Sequence, residues 1–430
     1  MSQNTKKIGF WSVFALVTGS QIGSGVFMLP TKLAPYGLYA LGGWVIAGLG
    51  AIALSLVFAK LCGWFPKTGG PHAYVEQAFG RVPAFFTGWT YWVISWVSTT
   101  AVITAIVGYL TPLIGIHSPM TYLALQIAIL SLVTALNFRG VSAAGKAEFF
   151  LTALKVIPLL IIPVAALLYF KSSNFMLSPT VSSLGTSGLL GAVTISAFWG
   201  FIGVESGTTP AGSVENPSKT IPRAIVAGTS CVALLYIINS LGIMGIVPGD
   251  QLMGSVAPYA DAVKILLGGS WHVVISCIAS IICVGTLNAW MLTSGQIALG
   301  LAQDGFMPAW FGKKNSFDAP YVGLFLSFLG IVPLLCLTAG GGLAEQISMI
   351  IDISTIGFLF VYAVSCMAFF KVLLQKQKIA QSVAPIFYGL CALIFCCWFI
   401  SVQPMMTLLI ASLFTVSGIP VYWYMQRCKA

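Results

Sequence analysis

The sequence predicts an all-α membrane protein with twelve transmembrane helices, and three observations support this fold class. Of the 430 residues, 58% are hydrophobic and only 7% are charged, whereas soluble domains carry about 25% charged residues. Long apolar stretches recur along the chain, on the scale of the ~20 residues that a helix needs to cross a bilayer. They lack the short alternating pattern of an outer-membrane β-barrel.

The predicted spans follow one another along the whole chain. Residues 8–31 and 33–59 hold one span each, and residues 82–138 and 379–426 are each long enough for two. The other six lie near residues 147–170, 188–209, 223–247, 270–301, 320–339 and 346–370. We therefore expect a single transmembrane domain over residues 1–430, and no removable signal peptide at its start.

The net charge of +10 indicates membrane topology rather than a nucleic-acid partner. On the twelve-span arrangement, sixteen of the twenty basic residues fall on one side of the membrane: Lys6, Lys7, Lys60, Lys67, Arg81, Arg139, Lys146, Lys219, Arg223, Lys313, Lys314, Lys371, Lys376, Lys378, Arg427 and Lys429. The positive-inside rule makes that side cytoplasmic, together with both termini.

Two glycine-rich stretches predict interrupted helices. Span one contains "GSQIGSGVFMLP" (residues 19–30) and span six contains "AFWGFIGVESGTTPAG" (residues 197–212). Each glycine costs a helix roughly 1 kcal/mol relative to alanine. Each span opens a group of five helices, and the groups run in opposite directions because five is odd. Paired interruptions of this kind point to a transporter binding site, although close packing of small residues is an alternative.

An interruption leaves backbone groups that need partners inside the membrane. The N–H groups around Ser24, Gly25 and Val26 suit a carboxylate, because the half-helix that follows presents its positive end there. The carbonyl groups from Trp199 to Ile202 suit an ammonium group. A substrate that carries both groups would therefore fit between the two interruptions.

Three charged residues stand out within the predicted spans, where charge is costly and usually functional. Glu205 falls in the span-six interruption, and Lys155 lies about nine residues into span five. Lys155 could replace a bound cation or exchange a proton; a salt bridge or a side chain that reaches toward the cytoplasm is the alternative. Asp352, early in span ten, either has a function or simply faces the external vestibule.

Aromatic and hydroxyl side chains add further candidates. Trp199 and Trp290 lie deep in spans six and eight, where their faces could attract an ammonium group by up to ~2 kcal/mol; filling space between helices is the alternative. Tyr91, Ser95 and Thr99 recur at intervals of four residues in span three and so share one helix face. We expect this polar face to meet protein or a cavity rather than lipid.

Five motifs carry a resemblance to a known family: "GSQIGSGVFMLPTKLA", "FPKTGGPHAYVEQAFG", "FWGFIGVESG", "VENPSKTIPRAI" and "AQDGFMP". They resemble motifs of the amino acid–polyamine–organocation superfamily. The most similar branch is that of the bacterial basic amino acid/polyamine antiporters, which exchange arginine for agmatine, lysine for cadaverine or ornithine for putrescine. The sequence shows no catalytic constellation and no metal-ligand spacing, so we predict neither an enzyme nor a cofactor.

The resemblance implies a LeuT-like inverted repeat of five plus five helices with two extra helices. The repeats would span about 8–170 and 188–370, with helices eleven and twelve at about 382–425, in a bacterial cytoplasmic membrane and often as a homodimer. With the polar face of span three, it implies the following substrate-binding set: Ile22, Ser24, Gly25, Tyr91, Ser95, Thr99, Trp199, Ile202, Trp290 and Ser354. Coupling and gating fall to Glu205, Lys155 and Tyr362.

Two departures from the family pattern keep the transport mode open. Lys155 lies where sodium-independent superfamily members outside the arginine–agmatine type place a lysine in the space of a sodium site. Thr99 replaces an asparagine of the arginine–agmatine type. The sequence therefore predicts a sodium-independent exchanger of amino acids or amines that works by alternating access. Proton-coupled symport of an amino acid through Lys155 or Glu205 is the alternative, and a nutrient sensor that scarcely transports is the third.

Overall fold

The computed structural model describes residues 7–115, 118–255, 258–339, 343–376 and 383–427. Over these residues the chain is almost entirely helical, and its one β-bridge pairs Ile8 with Val214. The helices are α1 (Phe10–Gln21), α2 (Ser24–Leu33), α3 (Tyr39–Trp64), α4 (Pro71–Phe79), α5 (Arg81–Ile114), α6 (Pro119–Asn137), α7 (Val141–Leu167), α8 (Gly185–Phe198), α9 (Pro217–Ile246), α10 (Gly249–Met253), α11 (Pro258–Leu267), α12 (Trp271–Gln303), α13 (Tyr321–Thr338), α14 (Leu343–Lys376), α15 (Val383–Ser401), α16 (Met405–Val416) and α17 (Ile419–Arg427).

In the described part of the chain, seven short 3-10 turns join the helices: Ala34–Tyr36, Ser172–Phe175, Ser182–Leu184, Trp199–Phe201, Ser206–Thr208, Ala211–Ser213 and Ala309–Gly312. Proline starts α4, α6 and α9, where its missing N–H costs nothing because the first helical N–H groups have no partner within the helix. Three of the turns fall between α8 and α9, so the chain has no α-helix over residues 199–216.

Ten helical segments among the described residues are long and apolar enough to cross a membrane. The predicted spans near 8–31 and 320–339 are not among these ten segments. The first is divided into α1 and α2, of 12 and 10 residues, and the second is α13, of 18 residues. The structure thus confirms an all-α, multi-pass membrane protein. The count of twelve and the inverted repeat stay predictions.

The interior is built around a few long helices. α5 packs along α12 and α14, while α3 packs along α8 and α9, and α1 contacts α7, α9 and α12. The chain before α1 is hydrogen-bonded to the segment just before α9. The Ile8 N–H donates to Ser213 O (2.9 Å), and the Glu215 N–H donates to Ile8 O (2.9 Å). This arrangement holds α1 beside the non-helical segment 199–216.

Both predicted interruptions are present in the structure. α1 ends at Gln21, and Ile22 is extended (φ −76°, ψ 92°) before α2 begins at Ser24. α8 ends at Phe198, and Gly203 has φ +104°, a conformation that residues with a side chain rarely adopt. A Cβ atom on Gly203 would also lie 2.7 Å from the Ser20 hydroxyl. Glycine at this position therefore permits both the turn and its contact with α1.

Candidate functional site

A small cavity lies where the two interruptions meet. Its volume is about 20 Å³, which is enough for a water molecule and too small for an amino acid. Its walls are formed by Ser20, Gln21, Gly23, Gly25, Ser98, Val102, Trp199, Ile202, Thr286 and Trp290. We call this space the central cavity. Four predicted substrate-binding residues, Gly25, Trp199, Ile202 and Trp290, line it.

The two interruptions approach each other closely at Gly25. A Cβ atom on Gly25 would lie 3.2 Å from Trp199 Cδ1 and 3.6 Å from the Gly200 Cα. The backbone of Ser24 starts α2, as expected for a positive helix end at this position. The side chains of Ser24 and Asp352 lie outside the described part of the structure. The glycine thus brings the start of α2 against the Trp199 ring.

Two side chains that the sequence reasoning missed connect the interruptions. The Ser20 hydroxyl lies 2.8 Å from the Ser206 hydroxyl and 3.1 Å from Gly203 O. The Tyr236 hydroxyl lies 2.8 Å from Gln21 O and 3.1 Å from Gly200 O. Backbone carbonyls released by unwinding therefore have protein partners, as a low-dielectric interior requires. Only the spatial arrangement reveals Tyr236, which lies on α9.

Lys155 is bound to the end of α1. Its ammonium group donates to Gly19 O (2.9 Å) and to the Thr286 hydroxyl (3.2 Å). The Thr286 hydroxyl lies 2.7 Å from Ile22 O, so it can accept from Lys155 while it donates to the carbonyl at the interruption. Lys155 thereby satisfies carbonyl groups that have no partner within the helix after α1 ends.

A buried carboxyl group forms an ion pair with Lys155. Glu148 Oε1 lies 3.4 Å from Lys155 Nζ, and both side chains are completely buried. Asn288 donates to Glu148 Oε2 (2.8 Å) and Thr152 donates to Glu148 Oε1 (3.2 Å). The salt bridge that the sequence left as an alternative for Lys155 is therefore present. Glu148 precedes Lys155 by seven residues, a spacing that returns to the same face of a helix and could have identified this partner.

Glu205 and Tyr362, the predicted coupling and gating residues, are in direct contact. The Tyr362 hydroxyl donates a short hydrogen bond to Glu205 Oε2 and accepts the Gly203 N–H at 3.2 Å. Within the described ranges Glu205 Oε1 has no hydrogen-bond partner of standard geometry, although the Tyr91 hydroxyl lies close to this carboxyl group. The acid is therefore buried beside the span-six interruption and linked to α14 and α5.

The polar face of span three lies beside the cavity rather than in its wall. The Ser95 and Thr99 hydroxyls donate to carbonyls of their own helix, at 2.7 Å and 2.6 Å. Ser98 and Val102 of the same helix line the central cavity instead. Ser354 is buried, and its hydroxyl lacks a hydrogen-bond partner among the described residues. Substrate binding by Tyr91, Ser95, Thr99 and Ser354 stays a prediction.

A charged cluster joins the loop helix α4 to the end of α12. Asp304 lies 3.2 Å from His72 Nε2 and 3.5 Å from Lys67 Nζ, and Arg81 donates to Asp304 O (3.0 Å). Burial alone would raise the pKa of Asp304, but the hydrogen bond with His72 and the charge of Lys67 lower this pKa below its usual value. The cluster thus joins two of the sequence motifs, "FPKTGGPHAYVEQAFG" and "AQDGFMP".

We expect Asp304→Asn to lower the free energy of unfolding by about 1 kcal/mol, because the contacts are partly exposed ionic ones. A lowered pKa means that the Asp304 carboxylate stabilises the fold above its unfolded-state pKa near 3.8 and loses this effect only as the pH falls through the lower native value. The difference between wild type and variant should therefore persist at pH 5. Thermal unfolding in detergent at pH 5 and pH 7 measures it.

The matched control is Asp318→Asn. Asp318 pairs with Lys314 at 3.0 Å, and its side chain is more exposed than that of Asp304. We expect a smaller loss from it, since exposed pairs contribute little. Equal stability of the Asp304 variant and the wild type at both pH values would show that this cluster does not stabilise the fold.

Comparison with known proteins connects this arrangement to transporters. The sequence model of the amino acid permease family matches residues 8–425. The putrescine transporter PotE of Haemophilus influenzae is 33% identical over 383 residues, which cover 88% of this chain and 87% of that protein. A putative arginine/ornithine antiporter of Bacillus subtilis is 28% identical over 411 residues (88% and 87%). The cadaverine/lysine antiporter of Escherichia coli K12 is 27% identical over 434 residues (99% and 96%).

Proposed function

Because the chain belongs to the amino acid permease family, we propose that it exchanges amino acids and amines across the membrane by alternating access and without sodium. This membership confirms the resemblance expected from the motifs. A cationic amino acid against its amine is the leading pair, as the name of the cadaverine/lysine antiporter suggests. The single observation that carries the proposal is the central cavity, whose walls include both helix interruptions.

The groups around the central cavity are complementary to the two ends of an amino acid. The N–H groups at the start of α2 and the helix dipole favour a carboxylate. The faces of Trp199 and Trp290, together with carbonyl groups of the turn before Ile202, favour an ammonium group. An amine without a carboxylate would use only the second set, so the two substrates of an exchanger can share one cavity.

The small volume of the central cavity implies that substrate binding requires a rearrangement. The central cavity of about 20 Å³ must expand before an amino acid can enter, and the close approach of Gly25 to the Trp199 ring is one part of its wall. The extended residues Ile22 and Ile202 provide hinges beside this contact. A substrate bound between the two interruptions would stabilise an occluded state in which the Trp199 ring covers the substrate.

The environment of Lys155 supports sodium independence. Its ammonium group lies 2.9 Å from Gly19 O and contacts Ile22 O through Thr286. The ammonium group therefore takes the position beside these carbonyl groups that a sodium ion would need. The Glu148 carboxyl group lies 3.4 Å from the same ammonium group and is equally buried. A lysine that is held by a buried carboxylate is poorly suited to release a proton in each cycle, which favours exchange over proton symport through Lys155.

Proton-coupled symport through Glu205 is the second candidate, because this buried acid contacts both Tyr362 and the interruption. We expect Glu205→Gln to flatten the pH dependence of transport between pH 5 and pH 8 if protonation of Glu205 is part of the cycle. Initial rates at several pH values measure this. A variant that retains the shape of the wild-type profile would exclude Glu205 as the proton-linked group.

The proposal is tested with purified protein in liposomes. Labelled arginine, lysine, ornithine, putrescine, cadaverine and neutral amino acids are supplied outside, with and without the same compounds inside. Uptake that requires an internal substrate and proceeds in sodium-free buffer would support exchange and identify the pair. Uptake into empty vesicles under an imposed pH gradient would support proton symport, and absence of uptake under every condition would contradict both.

The orientation in the membrane is part of the proposal. We define the basic end of the bundle by Arg81 at the start of α5, Arg139 just before α7 and Lys313 between α12 and α13. We propose that it faces the cytoplasm of a bacterium, since basic loops are retained on that side. Accessibility of a C-terminal tag to protease in intact cells tests this orientation.

A further inference from the structure

A second and larger cavity opens at the basic end. Its volume is about 280 Å³, close to the lower limit of the ~300 Å³ typical of small-molecule sites. Lys7, Arg139 and Lys314 line it together with a single acid, Asp318, and the polar side chain of Gln296. We call it the basic-end cavity.

The basic-end cavity has an excess of positive charge and an unsatisfied donor. Lys314 is paired with Asp318 at 3.0 Å, whereas Lys7 and Arg139 have no ion-pair partner in the part of the chain that the structure describes. Gln296 is 1% exposed, and its Nε2 atom has no hydrogen-bond partner among those same residues. Buried amide donors are normally satisfied. These groups together point to an anionic, hydrogen-bond-accepting ligand.

The basic-end cavity and the central cavity share structural elements. α12 contributes Trp290 to the central cavity and Gln296 to the basic-end cavity, and six residues of helix separate them by about 9 Å. α1 contributes Gln21 to the central cavity, while Lys7, just before α1, lines the other. The basic-end cavity therefore lies on the side of the central cavity from which a substrate would enter or leave at this end.

We propose that the basic-end cavity binds the carboxylate of an amino acid on its way to or from the central cavity, and that it disfavours the corresponding diamine. This inference rests on the proposed exchange function. The planar guanidinium of Arg139 suits a carboxylate, to which it can donate two parallel hydrogen bonds. Lys7 adds positive charge, and Gln296 adds an amide donor. A diamine carries only positive charge and would be repelled by the same groups.

The first test compares transport by the wild type and Arg139→Gln. The half-saturating concentration is measured for the amino acid that the wild type exchanges fastest and for its decarboxylated amine, each varied inside and outside the liposomes. We expect the value for the amino acid to rise about three- to fivefold, as for a partly exposed ion pair, and the value for the amine to stay unchanged or fall. Arg223→Gln is the control, because it removes the same charge from the start of α9 without lining the cavity.

The second test does not depend on transport. Modification of Arg139 by phenylglyoxal is followed by mass spectrometry on folded protein in non-ionic detergent. We expect protection by the amino acid and none by its amine, with Arg223 modified equally in both cases. Gln296→Leu should reduce the protection without preventing folding, since the substitution leaves the side-chain volume similar.

Several results would overturn the inference. The effect would be a general electrostatic one if Arg139→Gln changed the half-saturating concentrations of the amino acid and the amine equally. The same conclusion would follow if Arg223→Gln changed them as much as Arg139→Gln does. Protection by short-chain phosphatidylglycerol but not by amino acid would assign the cavity to a lipid phosphate. If the wild type exchanged nothing, the proposed function would fail, while protection of Arg139 by amino acid would still decide whether the basic-end cavity binds a carboxylate.

Discussion

Replacing Lys155 by methionine should leave very little folded protein, whereas replacing Lys155 and Glu148 together, by methionine and glutamine, should recover much of it. The single change leaves the Glu148 carboxylate completely buried without its cation. Removing one partner of a buried ion pair costs about 3–5 kcal/mol, whereas removing both charges costs far less. Asn288 and Thr152 could still bind the uncharged glutamine side chain.

The measurement is the yield of monodisperse protein and its apparent Tm in detergent. Lys314→Met is a suitable control, because it breaks the exposed pair with Asp318 rather than a buried one. Single and double variants of equal stability would contradict the account of Glu148 as the counter-ion of Lys155. A stable double variant also allows sodium-free exchange to be measured without the fixed ammonium group.

Trp199→Leu should reduce exchange at least tenfold while leaving the protein folded. The Trp199 ring lines the central cavity and contacts Gly25 across it, so the substitution removes an aromatic face that could contribute up to ~2 kcal/mol to the binding of an ammonium group. The ring is only partly buried, and its loss should therefore cost less core packing than loss of a fully buried tryptophan. Initial exchange rates in liposomes measure the effect.

Trp64→Leu provides the matched control for this prediction. Trp64 is another partly buried tryptophan, but it stacks on Phe369 with ring centroids 5.9 Å apart and does not line the central cavity. We expect its exchange rate to stay within a factor of two of the wild-type rate when equal amounts of folded protein are reconstituted. Wild-type affinity and rate in the Trp199 variant would contradict the assignment of the central cavity.

The interruptions were predictable from sequence because glycine has a local effect on helices. The cluster at residues 19–25 and the segment around Gly203 both break where the sequence suggested. Gly25, Trp199 and Ile202 lie at or beside the breaks and line the central cavity, and substrate binding by them stays a prediction. In span three, Tyr91, Ser95 and Thr99 are buried, as expected for a polar face that meets protein or a cavity, although these residues do not line the central cavity.

Serine and threonine hydroxyls in helices commonly bond to the backbone of their own helix. Ser95 and Thr99 bond to carbonyls of their own helix, so their hydroxyls need no cavity, and the neighbouring Ser98 lines the wall instead. The pairing of Glu148 with Lys155 was not predicted, because Glu148 lies near the predicted start of span five, where charged residues are common. Tyr236 contacts Gln21, 215 residues away along the chain, and no local pattern predicts such a pairing.

The most direct test of the central claim is an experimental structure determined with the exchanged amino acid bound. We expect density for the substrate between the start of α2 and the Trp199 ring, in a central cavity larger than about 20 Å³. We also expect Lys155 to stay bonded to Gly19 O and Glu148. Substrate bound elsewhere, with the contact between Gly25 and Trp199 unchanged, would contradict the assignment of the two interruptions as the binding site.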